Sequence, residues 1–254
     1  MNHDWSTLNE RLRGLRLPAV AAELVPRLQA AGHLEALQIV DDVFGLECEA
    51  RTQRRVERLL RAAKLPVGKT FDSLDQSRFP VSLQLLISQL QQGDFVDAAH
   101  NVLCFGLPGT GKSHVACALG HHLVSQGCSV RLFQTYELVQ HLLAAKRDLE
   151  LPKALRKLDR FEVLILDDIG YVQQDAEEIE VLFTLLAERY ERRSLIITSN
   201  LVFSKWDQIF KNPMTTAAAI DRLVHHSVIL EFDVASYRTD EARRRNERKE
   251  AHDN

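Results

Sequence analysis

No apolar run in this sequence approaches the about 18 residues that a helix needs to span a bilayer. Its first residues, Met1-Asn2-His3-Asp4-Trp5, carry neither the basic segment nor the apolar core of a secretory leader. A cytoplasmic protein with no membrane partner is therefore expected. Cysteine is scarce: Cys48, Cys104, Cys117 and Cys128 are widely spaced and form no C-x-x-C pair. Buried free thiols are expected from them rather than disulfides or zinc ligands. A strong charge of either sign is also missing, since 32 Lys+Arg against 35 Asp+Glu leave -3, which by itself points to neither nucleic acid nor a membrane. What is present is 45% hydrophobic and 26% charged residues over 254 positions, enough to bury a sizeable core and to exclude disordered, collagenous and fibrous classes.

The charges are unevenly placed. Arg51, Arg54, Arg55, Arg58, Arg61, Lys64 and Lys69 face a single Glu57 in their stretch, whereas 167–191 is mostly acidic. Such asymmetry points to an anionic partner. Up to about residue 65 the apolar spacing is helical: Leu8, Leu12 and Leu15, then a helix opening at Pro18 that Pro26 should kink, then a stretch from Leu34 to Leu65 with Val56, Leu59, Leu60 and Ala63 on its apolar side. Leu65-Pro66-Val67-Gly68 reads as a linker. Beyond it, short apolar runs alternate with amphipathic helices, the mark of a parallel α/β sheet. Strands are expected at 102–105, 129–133, 163–166, 195–198 and 228–232, with helices at 112–126, 136–149, 176–192 and 216–224. The expected organisation is a helical domain over 1–68, an α/β domain over 69–235 and a charged tail over 236–254.

Gly106-Leu107-Pro108-Gly109-Thr110-Gly111-Lys112-Ser113 fits G-x-x-x-x-G-K-[ST], between a strand and a helix as the mechanism demands. The glycines let backbone N–H groups turn toward phosphate oxygens, Lys112 brings a cation to the β- and γ-phosphates, and Ser113 offers a hydroxyl to Mg²⁺. His114 closes the binding stretch. The strand 163–166 ends in Asp167-Asp168 at the sheet's carboxyl edge, where ligands of open parallel sheets bind. Asp167 is placed to hold Mg²⁺ and Asp168 to polarise the attacking water. Asn200, after the strand 195–198, can orient water or the γ-phosphate.

These residues resemble an AAA+ ATPase of the clade of DnaC and DnaA, and more closely the IstB-like ATP-binding helper proteins of insertion-sequence transposition. The strings that carry the resemblance are LRGLRLP (12–18), DDIGY (167–171), TSNLVFSKW (198–206) and DRLVHHSV (221–228). The resemblance implies a P-loop AAA+ domain with a five-stranded parallel sheet, in which residues 106–113 are Walker A, Asp167 is the Walker B carboxylate, Asp168 holds the place of the catalytic glutamate, Asn200 is sensor 1, and Arg222 is an arginine finger reaching a neighbouring subunit's ATP. The family often has Glu where this chain has Asp168, so slow hydrolysis, stimulated by DNA or a partner, is expected. A C-terminal lid is expected to be missing.

Arg51, Arg54, Arg55, Arg58 and Arg61 recur at helical spacing and fit either a phosphate-tracking stripe or a merely solvated helix face. The resemblance implies DNA contact for a second cluster, Lys146, Arg147, Lys153, Arg156 and Lys157. His121-His122 and His225-His226 invite a metal, but neighbours on a helix point about 100° apart and no Cys/His partner set is near, so packing or surface roles are expected. Phe71, Phe79, Trp206 and Phe210 are expected in the core, the first two being candidates to flank adenine. The function expected is a DNA-dependent ATPase that forms homo-oligomers on double-stranded DNA with ATP and presents it to a transposase. The alternatives are a DnaC-like helicase loader, a small-molecule P-loop kinase and an ATP-gated scaffold with negligible turnover.

Overall fold

The computed structural model describes residues 5–169, 176–201, 221–237 and 239. It divides into two compact units, Met1–Arg58 and Leu59–Asn254. The division falls inside a helix, ahead of the Leu65–Gly68 turn where the sequence suggests a linker.

The first unit is helical: α1 (Ser6–Gly14), α2 (Pro18–Ala30) and most of α3 (Leu34–Ala63). Leu8, Leu12, Ala21, Val25 and Leu37 form its core with Trp5. Helix α2 continues through Pro26, which is exposed, as is Ala22, whose carbonyl loses its donor there. The missing bond thus falls where water can replace it. Arg11 spans to α3 and donates to Asp41 through both its carboxylate and its backbone carbonyl.

The second unit is built on five parallel strands in the order β2-β3-β4-β1-β5, namely β1 (Asn101–Gly106), β2 (Val130–Gln134), β3 (Val163–Asp167), β4 (Ser194–Ser199) and β5 (Ser227–Phe232). Every expected strand is present, four of them longer by a residue or two and β2 shifted by one. Strands β1, β3 and β4 are almost wholly buried, which is why they read as unbroken apolar runs. Helix α6 (Lys112–Ser125) crosses one face of the sheet, where Gly120 has no room for a Cβ: the atom would lie 2.7 Å from Ile165 Cδ1. Helices α7 (Thr135–Arg147), α8 (Leu151–Leu158) and α9 (Ala176–Arg189) share a core that includes Leu138, Leu142, Leu158, Leu182 and Leu185.

Three expectations change. The helix expected at 136–149 is α7 and stops at Arg147, with Leu149 at φ +58, and α8 follows where no helix is foreseen. Between the linker and β1, where no element is foreseen, lie a 3-10 turn (Gln76–Arg78), α4 (Val81–Leu90) and α5 (Asp94–Asp97). Of the expected apolar side of α3, Ala63 is buried but Leu60 is 42% exposed. The cysteines are free; Cys104 and Cys117 are buried, Cys48 and Cys128 half-buried, and burial pushes the Cys104 thiol up to about 12. Of the tail, 238 and 240–254 lie outside the described residues, as do Trp206 and Phe210.

A buried arginine that sequence gave no reason to single out, Arg189 at the end of α9, donates to Leu158 O, Phe161 O, Glu162 O and Ser194 O. It ties the entries of β3 and β4 together. Burial brings its pKa down to about 10, which still leaves it charged at neutral pH.

Candidate functional site

The order of the strands brings the ends of β1, β3 and β4 side by side, because β1 is inserted beyond β4 rather than next to β2. A chain leaving β1 therefore enters its helix beside the carboxyl ends of β3 and β4, the crevice where open α/β sheets bind ligands. The 106–113 loop occupies this position. Gly106, Gly109 and Gly111 all have positive φ, +153, +83 and +106. A Cβ on Gly106 would stand 2.6 Å from Phe232 O, so only glycine permits this approach to β5. Leu107 and Pro108 are exposed at the loop's crest. Lys112 is 5% exposed and donates to Leu107 O at 2.8 Å; Thr110 Oγ1 donates to the same carbonyl, also at 2.8 Å.

Behind the loop the carboxylates are held by hydroxyls and amides. Ser113 Oγ and Thr198 Oγ1 each donate to Asp167 Oδ1 at 2.6 Å, and Gln134 Nε2 approaches Oδ2 at 3.4 Å. Thr198 Oγ1 in turn accepts the Asp168 N–H at 2.8 Å, and Asn200 Nδ2 donates to Asp168 Oδ1 at 2.8 Å. Asp168 itself has φ +64, the left-handed region that Asp tolerates better than most residues. Ser113, Asp167, Asp168 and Asn200 are thus joined through Thr198, a residue the sequence offered only as part of a strand.

In front lies a cavity of about 380 Å³, lined by Lys69, Ser73, Phe79, residues 108–114, Asp168, Thr198, Asn200, Val234, Ala235 and Tyr237 among others. His114 turns away from the loop: its Nε2 lies 3.0 Å from Thr70 O and 3.1 Å from Ser73 Oγ, anchoring the 70–73 turn. Phe79 lies against the loop, its Cζ 3.2 Å from where a Cβ on Gly111 would stand, and packs edge-on against Phe232 at 5.5 Å between ring centroids. Arg78 lies over the Tyr237 ring at 5.1 Å, while Tyr237 N donates to Gly109 O at 2.9 Å. Phe71 does not line the cavity and meets His122 instead.

The arrangement can bind a polyphosphate through backbone N–H groups and Lys112. Ser113 and Asp167 offer a hydroxyl and a carboxylate at one point, the hard oxygen donors that suit Mg²⁺ alongside phosphate oxygens. Asp168 and Asn200 stand beside them as an acceptor and a donor for a water.

Arg222 is not in this cavity. It is exposed, and the next residue's carbonyl, Leu223 O, accepts from Asn101 Nδ2 at 3.3 Å, at the start of β1. It therefore lies at the edge of the sheet opposite the loop that follows β1.

The basic residues are more heavily paired than the sequence suggested. Arg51, Arg54, Arg55 and Arg58 are all exposed on α3, but Arg51 and Arg54 both bind Glu47, at 2.7 and 3.3 Å. Glu47 lies one turn upstream of the stretch in which carboxylates seemed few, and the Arg51 guanidinium holds its carboxyl below the usual range. Arg61 is exposed at the start of the second unit. Lys146 pairs with Glu180 at 2.7 Å and Lys153 with Glu150 at 2.8 Å, while Arg147, Arg156 and Lys157 are exposed.

Sheet order, loop and carboxylate pair together define an α/β P-loop nucleotide-binding domain of the AAA+ class. Comparison with known proteins narrows this. Residues 10–245 match the IstB-like ATP binding protein family, and the chain belongs to that family. It is 41% identical over 239 residues to an insertion sequence ATP-binding protein of Sinorhizobium fredii, covering 92% of this chain and 80% of that one. Among solved structures it resembles DnaI, with a TM-score of 0.56, 17% identity and coverage of 66% of this chain and 95% of the other. It also resembles the DnaC helicase loader, with a TM-score of 0.54, 19% identity and coverage of 69% and 99%. At such identities these two show the shared fold alone. Among the described residues no helix is long and apolar enough to cross a membrane.

Proposed function

We propose that this protein is a cytoplasmic ATPase of insertion-sequence transposition that assembles on double-stranded DNA in its ATP state, presents that DNA to a transposase, and is reset by hydrolysis. The observation that carries the reading is the hydrogen-bonded chain Ser113–Asp167–Thr198–Asp168–Asn200 at the mouth of the phosphate loop, in a member of a family of ATP-binding proteins. A loop that only held nucleotide would need Lys112 and the backbone. An acceptor beside an amide, next to the metal-binding oxygens, is the equipment for directing water at the γ-phosphate.

In this reading Gly106 to Ser113 and His114 form the nucleotide stretch, with His114 fixing the 70–73 turn rather than touching phosphate. Phe79 and the 234–237 segment enclose the base end. Ser113 and Asp167 hold Mg²⁺, which neutralises charge on the phosphates. Lys112 exchanges its bond to Leu107 O for phosphate oxygens. Asp168 accepts the water's proton and Asn200 orients the water. Asp168 is one methylene shorter than a glutamate, which keeps its carboxylate further back and turnover slow. Arg222, on the opposite sheet edge, serves the nucleotide of a neighbouring copy, so hydrolysis requires assembly.

DNA is contacted by the helical unit, through Arg51, Arg54, Arg55 and Arg58 on α3, and by Arg61 and the Lys146, Arg147, Lys153, Arg156 and Lys157 group of the second unit. Each phosphate neutralised releases counterions, so the affinity is salt-dependent and largely independent of sequence.

Sizing the protein by light scattering with duplex DNA and either ATP or ADP tests the reading. Large complexes are expected with ATP and DNA and not with ADP; one identical species in all conditions removes the central step. Lys112→Ala should weaken ATP binding on the order of 100-fold, the scale of truncating one partner of a buried charge pair, and should not assemble by itself.

A further inference from the structure

At the sheet edge away from the nucleotide cavity, one residue meets two adjacent ones that are distant from it in sequence. Glu191 follows α9, and His225 and His226 end the 221–225 helix just before β5; the atoms they can offer a metal all lie within 4.8 Å of one another. Consecutive side chains on a continuing helix diverge by about 100°. Here the helix stops at His225 and His226 sits in a turn, so the two rings come to 4.1 Å between centroids, tilted by 55°.

The separation of His226 Nε2 from Glu191 Oε1, 3.5 Å, is long for a hydrogen bond. It is close to the about 3.3 Å between two ligands that each stand about 2.0–2.1 Å from a tetrahedral ion. Both imidazoles are held by neighbours. His100 stacks flat on His226, with centroids 5.3 Å apart and 2° between planes. Tyr190 OH lies 3.1 Å from His225 Nδ1. The backbone is fixed too, since His226 O accepts from Asn101 N at 2.7 Å. Glu191 and His225 are exposed, giving an ion a way in.

We propose that Glu191, His225 and His226 bind one divalent ion of the zinc class. Two imidazoles and a carboxylate suit Zn²⁺, and three protein ligands leave a position for water or for a donor from another molecule. Mg²⁺, which prefers octahedral oxygen ligands, is served at the phosphate loop and does not compete here. The site lies away from the nucleotide and does not depend on what the loop binds.

Equilibrium dialysis of the tag-free full chain against Zn²⁺, without nucleotide or DNA, is the test. One equivalent is expected to bind in millimolar Mg²⁺, and Glu191→Gln and His225→Ala should each weaken binding on the order of tenfold or more. Should either variant lose its circular dichroism signal, Co²⁺ on the wild-type chain decides: visible d–d bands without a thiolate charge-transfer band are expected. No stoichiometric uptake, uptake unchanged in both folded variants, or a thiolate band moving the ion to the cysteines would each overturn the proposal.

Discussion

One threonine hydroxyl governs both aspartates. Thr198 Oγ1 donates to Asp167 Oδ1 and accepts the Asp168 N–H, at 2.6 and 2.8 Å. The second bond helps hold Asp168 at φ +64, a conformation that costs about 1 kcal/mol or more for a residue with a side chain. Thr198→Val keeps the branched shape and deletes both bonds. Asp168 should then drift, and because misplacement by about 1 Å can cost on the order of 100-fold in rate, turnover should fall 10- to 100-fold while ATP affinity changes little. Single-turnover hydrolysis beside nucleotide titration checks this; equal loss in both would assign Thr198 to binding. Ser113, Asp167, Asp168 and Asn200 could be read from the sequence because each stands at a fixed place after a strand or loop. Thr198 could not, since a threonine in a strand is ordinary, and its second role depends on the β3–β4 register that pairs Leu166 with Ile197.

Elements meet through polar pins that periodicity does not reveal. Glu162, just before β3, accepts from Ser129 N at 2.7 Å and from Ser129 Oγ at 2.8 Å, fastening the entry of β2. Burial is the largest influence and would raise its carboxyl, but the Ser129 bonds together with Cys128 and the Arg193 charge outweigh it and leave the carboxyl below its usual value. A group whose pKa folding lowers adds stability above its unfolded value and loses that stability as pH falls through the folded one. Glu162→Gln should therefore cost about 1 kcal/mol near neutral pH, after allowance for its partial exposure, and the difference should shrink as pH falls below 4.5 and vanish once the folded carboxyl is protonated. Urea melts of both proteins across pH measure it; a cost persisting unchanged at pH 3 would mean the carboxylate's charge is irrelevant. The five strands were legible because both faces of the central ones are buried and leave apolar runs. Helix α4 was missed although Pro80 precedes it, Gly93 follows it in the left-handed region, and Leu83, Ile87 and Leu90 repeat at helical spacing. It packs on β5, and a short segment between a linker and a strand gives too few turns for its period to stand out.

For the whole molecule, the placement of Arg222 has a consequence that two crippled proteins can expose. It stands at the edge of the sheet where β1 begins, while Lys112 follows the loop at the other end of that strand, so one chain's arginine is far from its own phosphate loop. A copy that lends its arginine to the next forms a head-to-tail contact, in which the two surfaces differ and the interface repeats from copy to copy. Arg222→Ala should then bind ATP normally and not turn it over, and Lys112→Ala should fail to bind it. Mixed on DNA, a functional junction arises wherever an Arg222→Ala chain holds the nucleotide and a Lys112→Ala chain beside it supplies the arginine. Turnover should thus recover to a fraction of the wild-type rate well above that of either variant alone, rising with protein concentration as assemblies form. A mixture as inactive as its components, under conditions where co-assembly is verified by pull-down of a tagged variant, would place the action of Arg222 within its own chain or outside hydrolysis altogether.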